Sequence, residues 1–511
     1  MPVRTESSGF GTAFRMAIVF IALSVLALIA APVLGLSARI PFDYNEGWNA
    51  YAALRALGLS GGPLYPAPGG LIANNYPPLS FFVTGVLGWL TGDMIIAGRI
   101  IALVSLLTSA GLAGAVSRRC GPGGWGVAAA VLLPLLYVAA FSHDYVAMDD
   151  PQWFGIAIML SAVLIFVSAP AGADGRPDLR APRLIATAAL MVTAGMVKHN
   201  VLSWPAAVTF QLAVMAVRRR DWRPFGVWLI SGAAFAAFAV GLCVVIFGPV
   251  FLTDVLHHSR VINPALMLSG ARRTSEILSL GLVSLTLIGR RPSVPHGGLL
   301  ARAAACSILW TLIQRTGEGV ALNAWFEPLI VLSILTGVAI SAAGQREHGL
   351  SVTGPARFAS RVGPAGLLGI ALVPFLIGAW VLLPRAVSQV VHLKRDARAW
   401  DVFVDEVRRQ PGQVGCSMAA ICYWAGKDNL IDVFNYSEYV ANGGSRDPFV
   451  ALLGRPDLAG FVIPVASDGS HFRHRNNELL RQKALLAPVY DRDRPGPVSP
   501  DGKLRLYLPV R

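Results

Sequence analysis

The chain has 511 residues, of which 54% are hydrophobic and only 14% charged, and its formal net charge is +14. This balance excludes an ordinary soluble globular protein and fits a polytopic α-helical membrane protein. The basic residues fall in short clusters between apolar runs, as a positive-inside bias produces, so the charge does not argue for nucleic acid as a partner.

The first apolar run, about 14–36, exceeds the ~7–15-residue core of a cleaved signal peptide and reads as an uncleaved anchor. Further apolar segments at 97–116, 125–142, 151–169, 182–197, 200–217, 226–250, 275–290, 297–314, 322–342 and 364–384 bring the expected spans to about 11. The apolar stretch 79–90 falls short of the ~17 residues a span needs and reads as a helix in the interface or half-inserted. Basic clusters at Arg118 and Arg119, 176–183, 218–223, Arg290 and Arg291, and 346–361 occupy alternate loops. Placing them in the cytoplasm puts the N-terminus inside and the C-terminus outside. Three polar segments then share the outer face: 39–78, the SHDYVAMDD run at 142–150, and the KHN turn at 198–200.

The first of these holds FDYNEGWNAYAALRALG from Phe42 onward. Charge near a membrane is costly, so Asp43 and Glu46 are candidate catalytic acids, although both also suit a helix N-terminus. Gly58 is a plausible helix stop, and Trp48 and Tyr51 suit a helix lying in the interface. Asn75 and Tyr76 are candidate substrate contacts, with Tyr76 either stacking on a ring or serving in an aromatic belt. Pro77 and Pro78 set the approach to the next helix.

Asp149 and Asp150 precede Pro151, a good first helical residue, and one of them suffices as a cap. Two adjacent acids suggest a divalent cation or sugar hydroxyls as the further partner. Lys198 stands on a face where the positive-inside bias disfavours it and requires a partner, either a phosphate or a loop carboxylate. His257 and His258 are adjacent rather than a turn apart, and His143 and His199 are isolated, so no metal ligand set is assigned.

From about Lys394 the composition turns soluble. QVGCSM, NLIDVF, LAGFVIPVA and LRLYLPV alternate with helix-like stretches at 419–426 and 476–485, the pattern of a small α/β domain with a partly parallel sheet. No Gly-rich phosphate loop precedes a helix there. Cys416 and Cys422 can pair if this region is extracytoplasmic, although their spacing does not require it. The expected domains are a membrane part, 1–393, with its first outer loop at 37–96, and a soluble part, 394–511.

The series of an acid pair past the first span, YPPL before a short helix, Asp-Pro after the third span and a lysine before the sixth resembles the GT-C superfamily of membrane glycosyltransferases. The bacterial dolichyl-phosphate-mannose protein mannosyltransferase-like proteins and the lipid A aminoarabinose transferases are the relatives in view. The resemblance covers about 14–384. It implies a hexosyl- or pentosyltransferase of the bacterial inner membrane with a periplasmic site and tail. Its donor would be a polyprenyl-phosphate-linked sugar, its acceptor a glycan, lipid or protein, and its chemistry inverting. The family's first-loop acid takes the acceptor proton; its usual Asp-Glu reads Asn45-Glu46 here, which places Glu46 first as the base and Asp43 second. The resemblance puts Lys198 near the lipid phosphate and Asp149 or Asp150 near the site. No cofactor is implied beyond a divalent cation as a candidate. A polytopic transporter and another polyprenyl-lipid enzyme, such as an O-antigen polymerase or ligase, are the alternatives.

Overall fold

The computed structural model describes residues 8–121, 123–169, 178–258, 260–287, 294–344, 354–465 and 477–510. Arg176, Arg290, Arg291 and Arg346 of the expected basic clusters lie outside these residues.

Within the described residues, each apolar segment read as a span is helical over most of its length. In chain order the helices are α1 (Ser8–Leu34), α2 (Tyr44–Ala56), α3 (Leu79–Thr91), α4 (Met94–Cys120), α5 (Trp125–Phe141) and α6 (Gln152–Val167). Then come α7 (Ala181–Val197), α8 (Ser203–Arg219), α9 (Arg223–Phe247), α10 (Val250–Leu256), α11 (Ala265–Leu285), α12 (Gly297–Gln314) and α13 (Phe326–Ala343). The long α14 (Pro355–Arg408) follows, broken at Gly363 where φ is 70°. Among the described residues, six of the helices, α1, α4, α9, α12, α13 and α14, are long and apolar enough to cross a bilayer. The protein is a multi-pass α-helical membrane protein. Side chains such as Val245, Ile230 and Trp380, more than 70% exposed, coat the outside of the bundle, as a hydrocarbon solvent requires.

The tail is a small α/β unit with β1 (Gln413–Cys416), α15 (Ala419–Trp424), α16 (Val433–Ala441), α17 (Asp447–Leu453), β2 (Leu458–Pro464), α18 (Asn477–Arg492), β3 (Asp493–Val498) and β4 (Leu504–Pro509). The strand order is β1-β2-β4-β3, with β1 and β2 parallel and the other pairs antiparallel. Alternation along the strands divides the core in two. Val462, Leu504 and Leu506 face Trp400, Phe403 and Val407 of α14 and Ala50 and Ala53 of α2. Phe461, Ile463 and Tyr507 face Phe449 of α17 and Leu486 and Val489 of α18. NLIDVF is not a strand: it leads into α16, capped by Asp432. The proline-bearing DRPGPV forms the edge strand β3 instead, where missing donors cost least. Cys416 and Cys422 are disulfide-bonded.

α14 passes through residue 394 without a break, so the tail is carried on a continuation of the bundle's last helix. The tail also covers α2. Trp48 and Tyr51 are buried rather than set in an open interface: the Tyr51 hydroxyl donates to the Lys427 carbonyl at 2.6 Å. A Cβ on Gly47 would lie 1.9 Å from the Ala420 amide nitrogen, so glycine alone permits this approach of α2 to α15.

Candidate active site

Arg99, inside the apolar α4, is fully buried, which is tolerable only with complete pairing. Its Nε and Nη2 donate to Glu46 Oε1 and Oε2 at 2.7 and 2.8 Å. Its remaining donors reach the carbonyls of Leu36, Ala38 and Ile40, and its guanidinium lies 4.1 Å from the Phe42 ring centroid. Glu46 also accepts from the amide of Phe42 at 2.9 Å. The acid placed first as the base is therefore enclosed, with both oxygens occupied. Together, Arg99 and Glu46 fold the 35–46 segment onto α4.

Asp43 stands between these anchors on extended backbone, φ −153° and ψ 163°, and caps α2 by accepting from the Asn45 amide at 3.0 Å. It is only half-buried by surface. Burial raises its carboxyl to about 6, against the Asn45 N–H, with Asp150, Glu46 and Asp144 adding to the rise.

Asp149 and Asp150 diverge. Asp149 turns inward against Gly98, where a Cβ would overlap its carboxyl at 2.0 Å. Burial, followed by the charges of Glu46 and Asp150, pushes Asp149 well above the usual carboxylate range. Asp150 caps α6 by accepting from the Gln152 amide at 2.7 Å. It also takes Lys198 Nζ on both oxygens, at 2.8 and 2.9 Å. Of the two partners considered for Lys198, the structure contains the loop carboxylate. Burial works against the lysine's charge, but Asp150 outweighs it and holds Lys198 above its ordinary value.

Lys198 also lies 4.8 Å from the Tyr76 ring centroid and walls a chamber of about 370 Å³. Asn75, Tyr76, His199, Arg260 and Asn323 share that wall, and Asn435 of the tail closes it. Tyr76 packs edge-on to Trp48 at 5.0 Å, facing the chamber rather than a lipid belt. His199 is lowered to about 4, by burial first and then by Lys198 and Arg260, so it is neutral at physiological pH. Arg260 Nη1 donates to the Glu318 carbonyl at 2.8 Å, and its Nε lies 4.0 Å from Glu438 Oε2.

No family model and no curated protein sequence matches the chain. Its fold does match solved structures. ArnT from Cupriavidus metallidurans bound to undecaprenyl phosphate is 15% identical with a TM-score of 0.58, over 99% of this chain and 98% of that one. The chain has the fold of ArnT. The apo state of the same ArnT gives the same score over 96% of this chain and 98% of that one. The Archaeoglobus fulgidus oligosaccharyltransferase is 10% identical with a TM-score of 0.47, over 90% of this chain and 70% of that one.

Within this fold, Asn75, Tyr76 and Lys198 line one chamber, Asp150 is bonded to Lys198, and Asp43 directly precedes the lining residues Tyr44 and Asn45. The Asp149 amide donates to Glu46 Oε1 at 3.4 Å. Sequence reasoning singles out neither Arg99 nor Arg260. The signal for Arg99 is its place inside the apolar run MIIAGRIIALV; Arg260 has none. Among the described residues, no group of three or more His, Cys, Asp or Glu is placed to hold a metal ion. Asp149 turns inward against Gly98, whereas Asp150 is taken by Lys198 on both oxygens.

Proposed function

We propose that the chain is an integral-membrane glycosyltransferase of the bacterial inner membrane. It moves a hexose or pentose from a polyprenyl-phosphate-linked donor to an extracytoplasmic acceptor, with inversion. Its N-terminus is cytoplasmic, residues 1–393 form the membrane part, and 394–511 form a periplasmic domain. The Cys416–Cys422 disulfide supports an oxidising compartment for the tail.

The observation that carries this reading is Asp43. A carboxyl raised to about 6 is ionised at neutral pH yet basic enough to take a proton from a hydroxyl. Asp43, rather than the enclosed Glu46, is the general base. It removes the acceptor hydroxyl's proton as the oxygen bonds to the anomeric carbon. The bond from that carbon to the phosphate oxygen breaks, and its electron pair leaves on the polyprenyl phosphate. Arg260, with Lys198 beside it, stabilises the departing charge, and Asn75, Tyr76 and Asn323 surround the sugar. Glu46 and Arg99 act through Asp43 by fixing the loop that carries it.

Purified protein in lipid nanodiscs, incubated with a panel of polyprenyl-phosphate sugars with and without chelator, should release polyprenyl phosphate from at least one donor. The product is read by mass. Turnover that survives undiminished in Asp43→Asn would remove the assigned base, and no release from any donor would remove the reaction class.

A further inference from the structure

Arg481, on α18 of the tail, stands outside the chamber but is tied to the wall that carries Arg260. The segment 260–263 runs antiparallel to 316–318, with the Glu318 amide donating to the Val261 carbonyl at 2.9 Å and the Asn263 amide to the Thr316 carbonyl at 2.7 Å. α16 lies against this pair. Its Glu438 accepts from the Val261 amide at 3.0 Å. Its Phe434 ring lies 5.5 Å from the Arg260 guanidinium, and a Cβ on Gly319 would meet that ring at 2.1 Å. Two carboxylates are buried at this junction, Glu318 with 4% of its side chain exposed and Glu438 with none. Arg481 pairs with Glu318 and stands 3.6 Å from Glu438 Oε1, on the side away from Arg260, whose Nε is 4.0 Å from Glu438 Oε2.

We propose that Arg481 is a positioning residue for donor binding: by neutralising Glu318 and Glu438 from the tail, it leaves the charge of Arg260 available to a phosphate in the chamber. This rests on the transferase reading above and gives the tail a part in the reaction. Buried carboxylates each require a partner. With Arg481 in place, two acids meet two arginines. Without it, both acids turn to Arg260 alone, and the junction carries a net negative charge beside the phosphate. Charges in the interior are weakly screened, so that change is felt at the chamber. Lys198 does not offset it, because Asp150 already takes its Nζ on both oxygens. Asp432, the other acid that feels Arg260, is held by the backbone and side chain of Asn435.

Farnesyl phosphate, titrated into the protein in phosphatidylcholine nanodiscs, supplies the phosphate, and Trp48 and Trp310 on the chamber wall report binding by fluorescence. Arg481→Gln should raise the Kd about tenfold, the scale of one charge near a phosphate, and Arg481→Lys should stay within about threefold of wild type. Glu438→Gln, whose amide oxygen still accepts from Val261, should not weaken binding. The double variant Arg481→Gln, Glu438→Gln should recover most of the loss, a rescue that a merely structural role for Arg481 does not allow. In turnover, Arg481→Gln should raise the donor KM and leave kcat nearly unchanged. Wild-type affinity in Arg481→Gln would overturn the proposal. So would a double variant no better than the single one, or Arg481→Lys as weak as Arg481→Gln. Should Arg481→Gln not fold, a Glu438→Gln protein that binds the probe more weakly than wild type would overturn it instead. Donor turnover by wild type together with binding indifferent to Arg481 removes this inference alone. Binding that depends on Arg481 as expected, in a protein that releases no polyprenyl phosphate from any donor, supports the charge balance and removes the transferase reading.

Discussion

Arg99 Nε meets Glu46 Oε1 at 2.7 Å with neither side chain exposed, and this contact fastens the first inter-helical loop to the interior of the bundle. Removing one partner of a buried pair leaves an uncompensated charge, at a cost of about 3–5 kcal/mol. Glu46→Gln should therefore lower the thermal unfolding midpoint in detergent and the yield of folded protein. Any loss of transfer in this variant accompanies loss of structure. An unchanged midpoint would show that the pair contributes little to the fold.

Asp43→Asn should behave in the opposite way. Asp43 is half-exposed and its cap on α2 can be kept by an asparagine, so the midpoint should barely move. Transfer should fall by ~10²–10⁴-fold, the usual contribution of a positioned base.

The same residue sets the pH dependence. As the proposed base, Asp43 works in its carboxylate form, and burial holds the carboxyl at about 6. The rate should fall about tenfold per unit below that value and level off above it. Asp144→Asn removes a neighbouring negative charge and should move this limb to lower pH. On stability the sign is reversed from a paired carboxylate. The folded state holds the proton more tightly than the unfolded chain, so Asp43 weakens the fold as pH rises from 3.8 through about 6. Unfolding of wild type and Asp43→Asn across that range measures the difference.

Much of this fold is legible in the sequence because a bilayer makes hydrophobic length its own signal. The helix positions and the change to a small α/β tail follow from it. What enclosed each acid is not legible. Asp43 and Glu46 look equivalent in FDYNEGW, and only Arg99, 53 residues beyond Glu46, separates a buried structural acid from an accessible one. Arg260 is unreadable for another reason. It reaches the chamber because the tail and the 316–320 loop hold it there, through Glu438 and the Glu318 carbonyl. The strand β3 is hidden by prolines that argue against any strand except an edge.

Arg260→Ala should raise the donor KM about tenfold, the scale of one charge-assisted contact to phosphate, with a smaller change in the stability of the apo protein. Steady-state kinetics at several donor concentrations distinguish this from loss of folded enzyme. A change confined to kcat would assign Arg260 to the transition state alone.

Lys198 and Asp150 should behave as one unit. Lys198→Met leaves Asp150 unpaired, Asp150→Asn leaves Lys198 unpaired, and each should cost about 3–5 kcal/mol in unfolding. The double variant should recover a large part of that loss, and the coupling from the double-mutant cycle measures the pair. Strictly additive losses would contradict the ion pair.

Gly47 joins the bundle to the tail. Its missing Cβ is what lets α15 lie against α2, since the obstacle at 1.9 Å is the Ala420 backbone nitrogen and not a side chain that can turn aside. Gly47→Ala should therefore loosen the tail while leaving the spans folded, at a cost of about 1–3 kcal/mol to the docked state. Released from α2, the tail no longer brings Asn435 to the chamber, and the segment after α14 becomes open to protease. Limited proteolysis in nanodiscs should show faster cleavage after residue 408 in Gly47→Ala than in wild type. Equal cleavage rates would mean that the tail is held by α14 and not by α2.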